Sequence, residues 1–400
     1  MRPKRFLAAP LLLLLLLLCG CTSRTEAASP IVPATAPNVS IAPPPAVVTL
    51  TAVGDNLLHN TVYRSAQTAD GYDFLPLYAD VSSYIVLSDV AFVNQEAPMS
   101  GGAPSSYPSF NSPQEAGRDL VAMGFDVINL ANNHIMDKGS QAVLSTLAYL
   151  DTLDCAVIGA HSSTEARQTP VILEKNGITL GFVGYTYGTN GIPLPKNQPD
   201  LVSLIDRETI TAEVTALRRQ CDFVIVSMHW GNEYQLTPSS EQEELAQLLA
   251  DLGADIVIGT HPHVIQPAAW LEAADGGHRT FVAYSLGNFI SSQSRTDTML
   301  GGMLAARLQK TADGQCTVEA AGLMPLVTHF EAGAKNYRVY PLDRYTPELA
   351  KKHRLRAQNS DLTVDHFTQL SQELWGEFWL DEQHAAVLLR LISARQQPAA

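Results

Sequence analysis

The 400-residue chain carries 26 Lys and Arg against 40 Asp and Glu, a formal net charge of −14 at neutral pH, with 46% hydrophobic residues. That apolar content supports a large packed core, and the negative field repels nucleic acid and anionic membrane surfaces, so neither is an expected partner through charge alone. A polyanionic ligand would have to be held by local cations, bound metal ions foremost.

At the amino end, Arg2, Lys4 and Arg5 precede an apolar run over residues 11–18, which is followed by Cys19-Gly20-Cys21. The run is far shorter than the roughly 20 residues a membrane-spanning helix needs, so it reads as a removable export signal over residues 1–20. Leu18-Cys19-Gly20-Cys21 resembles a lipobox, which implies a lipid on Cys21 and an extracytoplasmic, membrane-anchored protein. Two acyl chains on one cysteine are enough for stable anchoring. Loss of the signal removes three bases and no acids, which takes the net charge from −14 to −17. Residues 21–46 are rich in Ala, Pro, Ser and Thr and too poor in large apolar side chains to offset the entropy of ordering, so they form a tether.

From residue 47 the pattern changes to apolar runs alternating with amphipathic stretches, the signature of an α/β sheet protein. Strands are expected at 47–53, 90–93 and 126–130, with helices at 112–124 and about 140–153. The first helix opens with Pro113 and a capping box of Ser112 and Glu115. Residues 171–174 and 178–183 form a hairpin across Lys175-Asn176-Gly177. A helix at 207–219 leads to a strand at 223–227, a helix at 239–252 leads to a strand at 256–258, and a strand at 280–284 closes the recognisable core. One domain over 47–330 is therefore expected, followed by a mostly helical C-terminal extension over 331–400. Its amphipathic stretch, 347–395, packs on the domain or on a partner.

Asp55, Asn94 with Glu96, Asn132-Asn133-His134, His229, and His261 with His263 each fall just after one of these strands. Ligands of open α/β sheets bind outside the carboxyl ends of the strands. Each residue also has an ordinary explanation: Asp55 as a turn residue, Glu96 as a solvated loop carboxylate, His229 as a core histidine. Yet Glu96 lies between apolar Phe92-Val93 and Ala97-Pro98, where an unpaired charge is costly. Three consecutive polar residues at 132–134 need more partners than one loop cap provides. A bend at Pro262 can turn both flanking imidazoles toward one place. Together the groups indicate a metal site, and carboxylate, amide and imidazole donors suit manganese, iron or zinc. Tyr185 and Tyr187, after the hairpin, are candidates for the pocket wall. Ser285 sits in an approximate nucleophile elbow that lacks its first glycine and its helix, so it reads as a turn at the rim. Cys155, Cys221 and Cys316 are unevenly spaced and read as thiols, with room for one disulfide.

Six ordered blocks, namely Gly54-Asp55, Asn94-Gln95-Glu96-Ala97-Pro98, Asn132-Asn133-His134 with Asp137 and Gly139, His229-Trp230-Gly231-Asn232-Glu233-Tyr234, Gly259-Thr260-His261-Pro262-His263-Val264, and Ser285-Leu286-Gly287-Asn288-Phe289, resemble the CapA family of poly-γ-glutamate capsule biosynthesis proteins. That family is similar in fold to calcineurin-like metallophosphoesterases, a sheet sandwich flanked by helices. The resemblance implies that Asp55 and His263 hold one divalent ion, that Glu96 bridges, and that Asn133, His229 and His261 hold a second. It further implies His134 as a proton donor, with Asn94, Asn132, Glu233, Tyr185 and Asn288 around the substrate. One departure stands out, because metallophosphoesterases usually place a histidine two residues after the first aspartate, and here that position is Leu57, with His59 four residues on.

The resemblance implies work at the cell surface in making or exporting an anionic polymer, beside a membrane polymer-synthesis complex. The chemistry left open by the residues is a metal-dependent hydrolase acting on a phosphoester or γ-glutamyl polymer, a non-catalytic scaffold that holds polymer carboxylates, or a general metal-dependent phosphoesterase.

Overall fold

A computed structural model describes residues 44–390; the expected export signal, Cys21, nearly all of the tether and the end of the C-terminal extension lie outside the described residues. From the amino end, β1 (Ala46–Asn56) leads through α1 (Asn60–Ser65), a small hairpin of β2 (Gln67–Thr68) and β3 (Gly71–Tyr72), and α2 (Ser82–Val86) into β4 (Val90–Gln95). Next come α3 (Glu115–Ala122), β5 (Val127–Asn129), α4 (Ser140–Leu150), β6 (Ala156–Ile158) and α5 (Thr164–Gln168). β7 (Val171–Lys175) and β8 (Ile178–Thr186) form the expected hairpin, and its two turn residues, Asn176 and Gly177, have φ of 54° and 77°, the left-handed pair that matches strand twist. The chain continues through α6 (Arg207–Arg218), β9 (Phe223–His229), α7 (Ser240–Asp251), β10 (Ile256–Thr260), β11 (Ala268–Glu272), β12 (Arg279–Ala283) and β13 (Asn288–Ile290). It ends in β14 (Leu300–Lys310), β15 (Cys316–Glu331), β16 (Lys335–Pro341), α8 (Pro347–Lys352), α9 (Val364–Trp375) and α10 (Glu382–Leu388).

The strands form two main sheets. One runs β16-β15-β14-β1-β4-β5-β6, with β13 pairing to the end of β1; the other runs β11-β12-β10-β9-β8-β7. β1, β4, β5 and β6 pair in parallel, and so do β12, β10, β9 and β8. The side-chain period of two sorts β9 cleanly. Phe223 and Ile225 enter the core between the sheets, whereas Val224, Val226 and Met228 pack with Ile210 and Val214 of α6 and Leu245 and Leu249 of α7. The same alternation places Ser227 and His229 on the face that looks toward the other sheet. The expected sandwich flanked by helices is thus present.

A backbone strap locks the sandwich at the strand ends. Leu286 N donates to Gly259 O at 3.0 Å, Asp55 N donates to Gly287 O at 2.9 Å, and Gly302 N donates to Leu286 O at 2.8 Å. A Cβ on Gly54 would lie 1.9 Å from Gly287 O, and a Cβ on Gly259 would lie 1.9 Å from Tyr284 O, so only glycine admits the strap on either side. Ser285 accordingly serves the strap: its hydroxyl donates to Val264 O at 2.7 Å and accepts from Gly287 N at 3.1 Å.

Three expectations need correction. The helix expected from Ser112 begins at Glu115 without a side-chain cap, because the Ser112 hydroxyl is engaged by Gln95 Nε2 at 3.3 Å. The core does not close at residue 284, since β14, β15 and β16 form an antiparallel meander that adds three strands beside β1. The described residues after 330 therefore open with a strand, β16, and α8, α9 and α10 follow it. Cys155, Cys221 and Cys316 are all free thiols. Among the described residues no helix is long and apolar enough to cross a membrane.

Gly54→Ala tests the strap. Its new methyl meets backbone rather than a flexible side chain, so the substitution is expected to destabilise the chain by about 2–4 kcal/mol in urea unfolding. Stability within about 0.5 kcal/mol of the parent would show that the strap can move aside.

Candidate metal centre

Both sheets deliver polar side chains to the edge where the strap crosses. β1 supplies Asp55 from its penultimate position, and the end of β4 supplies Asn94 and then Glu96. Asn132, Asn133 and His134 follow β5; His229 is the last residue of β9; His261 and His263 follow β10. All of these residues are buried. Glu96, His261 and His263 each offer a ligand atom, and the three atoms lie within 4.8 Å of one another, an arrangement that could hold a metal ion.

Hydrogen bonds fix the imidazoles. The Nδ1 of His263 lies 3.1 Å from both Asp55 Oδ2 and Asn288 Oδ1, which leaves Nε2 3.7 Å from Glu96 Oε1. His229 Nδ1 lies 2.9 Å from Thr260 Oγ1, and its Nε2 faces Asn133 Oδ1 at 2.8 Å and Glu96 Oε1 at 3.8 Å. Anchoring one ring nitrogen so that the other presents its lone pair inward is how proteins orient metal-binding histidines. Asp55 is held on both oxygens, by Asn94 Nδ2 at 2.8 Å and by His261 N at 3.3 Å, and Asn129 Nδ2 in turn donates to Asn94 Oδ1 at 2.9 Å. Beneath them Tyr78, Asn56 and Gln95 form a buried chain of hydrogen bonds that braces the ends of β1 and β4.

The bend at Pro262 is steep. His261 and His263 have φ of 96° and 59°, in the left-handed region that side chains with a Cβ rarely enter. Strain of this kind persists only where the surroundings over-determine it. Here the surroundings are the hydrogen bonds to Asp55 and a bond from Tyr234 N to Pro262 O at 2.8 Å.

The electrostatics are unbalanced. Burial, and then the Asp55 charge, raise the Glu96 carboxyl well above its ordinary value. Burial, and then the neighbouring imidazoles, hold His229 well below the usual histidine range and push His261 down to about 3. Both rings are thereby neutral at pH 7, the form that donates a lone pair. Neither oxygen of Glu96 has a hydrogen-bond partner, and Nδ1 of His261 has none either. Buried polar atoms are nearly always paired, so orphans on a carboxylate and an imidazole that face each other fit a divalent cation between them.

His134 stands beside this group. Its Nδ1 lies 2.8 Å from Asp137 Oδ2, and its backbone N–H donates to Asn132 Oδ1 at 3.2 Å. Asn132 Nδ2 donates to Gln95 O at 2.8 Å, so Asn132 braces the loop. Asn288 likewise orients His263. Glu233 is exposed at the rim, where its charge adds to burial in pushing the Tyr187 and Tyr234 phenols up to about 12.

Tyr185 does not line the site. It is fully buried in the core under α6, and its hydroxyl donates to Glu213 Oε2 at 2.7 Å. β8 ends at Thr186, and the turn beyond it swings Tyr187 over the site instead, with ring centroids 4.6 Å from His261 and 6.3 Å from His229. Sequence reasoning also passed over Thr260, Asn129, Asn190 and Phe110. Asn190 Oδ1 accepts from Asn133 Nδ2 at 3.1 Å, and Phe110 sets its ring between His59 and His134 at 5.2 and 4.7 Å. An asparagine inside the apolar strand that carries Asn129 was the one usable signal.

A two-sheet α/β sandwich with a histidine and carboxylate cage at its strand ends defines the class. The family model for the bacterial capsule synthesis protein PGA_cap matches residues 49–293, and the chain belongs to that family. The chain is 34% identical over 207 residues to the PGA biosynthesis protein CapA of Bacillus subtilis (strain 168), covering 51% of this chain and 53% of that one. It is 29% identical over 299 residues to the capsule biosynthesis protein CapA of Bacillus anthracis, covering 72% of this chain and 68% of that one. The chain thus spans about half the length of the first of these relatives. The crystal structure of the calcineurin-like phosphoesterase YfkN from Bacillus subtilis is 17% identical with a TM-score of 0.38, covering 83% of this chain and 98% of that one.

Glu96→Gln separates the cage from the fold. The folded-state pKa of Glu96 is raised, so its penalty is absent at pH values below its unfolded pKa and grows as pH rises toward the folded value. Metal-free Glu96→Gln is therefore expected to be more stable than the metal-free parent at pH 8, with the difference closing near pH 4. Added divalent ion should raise the melting temperature of the parent and leave the variant unmoved. Equal stability of the two metal-free proteins at pH 8 would show that Glu96 has a donor in solution.

Proposed function

We propose that this chain is an exported, lipid-anchored component of poly-γ-glutamate-type polymer synthesis or export whose strand-end cage binds one or two divalent ions and acts on a phosphoester or γ-glutamyl linkage. The observation that carries the metal reading is Glu96, buried with both oxygens unpartnered and with the Nε2 atoms of His229 and His263 at 3.8 and 3.7 Å. Family membership supports the polymer. The donor set of carboxylate, amide oxygen and imidazole suits manganese, iron or zinc. Asp55 and His263 would hold one position, Asn133, His229 and His261 the other, and Glu96 both.

A divalent ion in this cage supplies charge neutralisation for an oxyanion. The chain supplies the rest. His134 is the general acid: Asp137 accepts from its Nδ1–H, so Nε2 is the nitrogen that hands a proton to the leaving group. Asn132 and Asn190 hold the His134 loop, and Tyr187 covers the imidazoles on the solvent side.

A scaffold that grips polymer carboxylates without turnover is favoured by one feature. Leu57, at the position where metallophosphoesterases usually carry a histidine, packs with Ala97 and Phe110 and contributes no ligand. His134→Ala decides between the two. Elemental analysis of the parent should find one to two equivalents of a transition metal, His261→Ala should lose most of it, and His134→Ala should keep it while turnover of a phosphoester or γ-glutamyl probe falls by about 10²–10⁴-fold. A metal-loaded parent without turnover would leave the scaffold, and a parent that takes up no metal on reconstitution would remove both readings.

The anchor has a separate test. Cys21→Ser should move the protein from the membrane fraction to the soluble extracytoplasmic fraction; unchanged membrane retention would overturn lipidation at Cys21.

A further inference from the structure

Beyond the cage, the rim on the His263 side carries a cation stacked on an aromatic ring. Arg295 is exposed, and its guanidinium lies over the Tyr234 ring, 4.2 Å from the centroid. Arg307 pairs with Glu319, Arg338 with Asp80 and Arg344 with Glu382, whereas Arg64, Arg219, Arg354, Arg356 and Arg390, none of which contacts a cage residue, have no carboxylate within 4.0 Å among the described residues. Arg295 has none within 4.0 Å among the described residues, in a chain of net charge −14. The Tyr234 ring in turn stands 6.2 Å from the His263 ring, and its backbone is held at φ 65° by the bond to Pro262, between the two cage histidines. Gln293 joins the same network, since its Nε2 lies 3.4 Å from Tyr234 Oη and its Oε1 accepts from Asn288 Nδ2 at 2.8 Å. The guanidinium is therefore positioned through aromatic and amide contacts and left electrostatically unspent.

The loop that carries Arg295 is gripped from the other side by the C-terminal extension. Asn359 Nδ2 donates to Ser294 O at 2.8 Å, Thr296 Oγ1 donates to Asp361 Oδ1 at 2.7 Å, and His366 Nε2 contacts Asp297 Oδ1 at 2.7 Å. Three successive contacts immobilise residues 294–297. The grip comes from residues beyond 293, where the family match ends.

We infer that Arg295, backed by Tyr234 and held in place by the C-terminal extension, is the residue with which this site recognises an oxyanion of its ligand, a carboxylate or a phosphate. The inference rests on the proposed reading of the cage as the place where ligand binds. A planar guanidinium with free N–H donors matches such an oxyanion in bidentate fashion, and stacking on an aromatic face pre-orients it at little entropic cost. In a negatively charged protein, one unpaired arginine beside the site gives an anionic ligand a local point of entry. A γ-linked glutamate polymer offers one free α-carboxylate per residue, which is the chemistry this arginine selects.

The test is calorimetric binding of two probes, a γ-glutamyl glutamate oligomer and inorganic phosphate, to the full chain reconstituted with manganese, for the parent, Arg295→Ala, Arg295→Lys, Arg295→Glu and the double variant Asn359→Ala/Asp361→Ala. Arg295→Ala is expected to weaken the oligomer about tenfold, Arg295→Glu more and Arg295→Lys less, with metal content unchanged and the difference shrinking as salt is raised. The double variant should weaken it in the same direction by roughly threefold or more, through a loosened loop. Loss for the oligomer alone identifies a carboxylate reader, and equal loss for phosphate identifies a general oxyanion reader. Oligomer affinity identical in the parent and Arg295→Ala overturns the inference, as does a parent that binds neither probe. Metal uptake is read separately, so failure of the cage shows as missing manganese in every variant whatever Arg295 does.

Discussion

A glutamate is buried between two sheets with no donor on either oxygen, and the architecture around it makes sense only as compensation for that charge. Removing a carboxylate from water without a partner is among the most expensive operations a fold can perform. The chain does not dilute the cost with a lysine or an arginine. It surrounds Glu96 with imidazoles, and burial holds two of them, His229 and His261, neutral while it raises the Glu96 carboxyl. A divalent cation fits such an arrangement, and two of the rings are anchored on their far side, His229 by Thr260 and His263 by Asp55 and Asn288.

That geometry demands that strand ends from two separate sheets approach within a few ångströms, and the strap through residues 284–288 makes this so. Its carbonyls occupy the space where side chains at positions 54 and 259 would otherwise stand. Asp55 then follows directly after one contact, and Thr260, His261 and His263 follow the other. The glycines thus set the separation of the sheets at the edge where the cage is built, and the strained backbone at His261 and His263 is the consequence of aiming two imidazoles from one short segment.

The sequence made the parallel core legible because strands such as β9 and β10 are mainly apolar runs built on consecutive Val and Ile, and His229 and Thr260 fall at their ends. The same logic pointed to Glu96, His261 and His263, whose ligand atoms lie within 4.8 Å of one another. It failed at β14 for a physical reason. The strand carries Gly301 and Gly302, residues that weaken a strand pattern, and a Cβ on Gly301 would meet Asn288 O at 2.0 Å and one on Gly302 the Trp375 ring, so these glycines make room for neighbours within the strand. β15 likewise carries Pro325 in its interior, and proline ordinarily argues against an inner strand. Tyr185 was misplaced because a strand period of two extends only as far as the strand, and the turn after Thr186 exchanges which tyrosine faces the cage. Thr260, Asn190 and Phe110 carry no sequence signature at all, because their roles arise from contacts across 31, 57 and 24 positions, respectively, of chain.

The replacement of an expected histidine by Leu57 has a structural counterpart that bears on how the two halves of the cage differ. Leu57 joins Ala97 and Phe110 in a small apolar cluster under the site. Phe110 then separates two histidines, with His134 on one side, tied to Asp137, and His59 on the other, where burial pushes it down to about 4 and Ser292 N donates to its Nδ1 at 3.3 Å. On the division of ligands proposed above, the position at Asp55 would have one imidazole, from His263, and the position at Asn133 two, from His229 and His261. Two ions in this cage would be bound unequally, the one at Asp55 more weakly, and that weaker position lies on the same His263 side as Tyr234 and the unpaired guanidinium of Arg295. A ligand oxyanion arriving there would add charge where the protein supplies the fewest donors, so ligand and weakly held ion would each favour the other's binding.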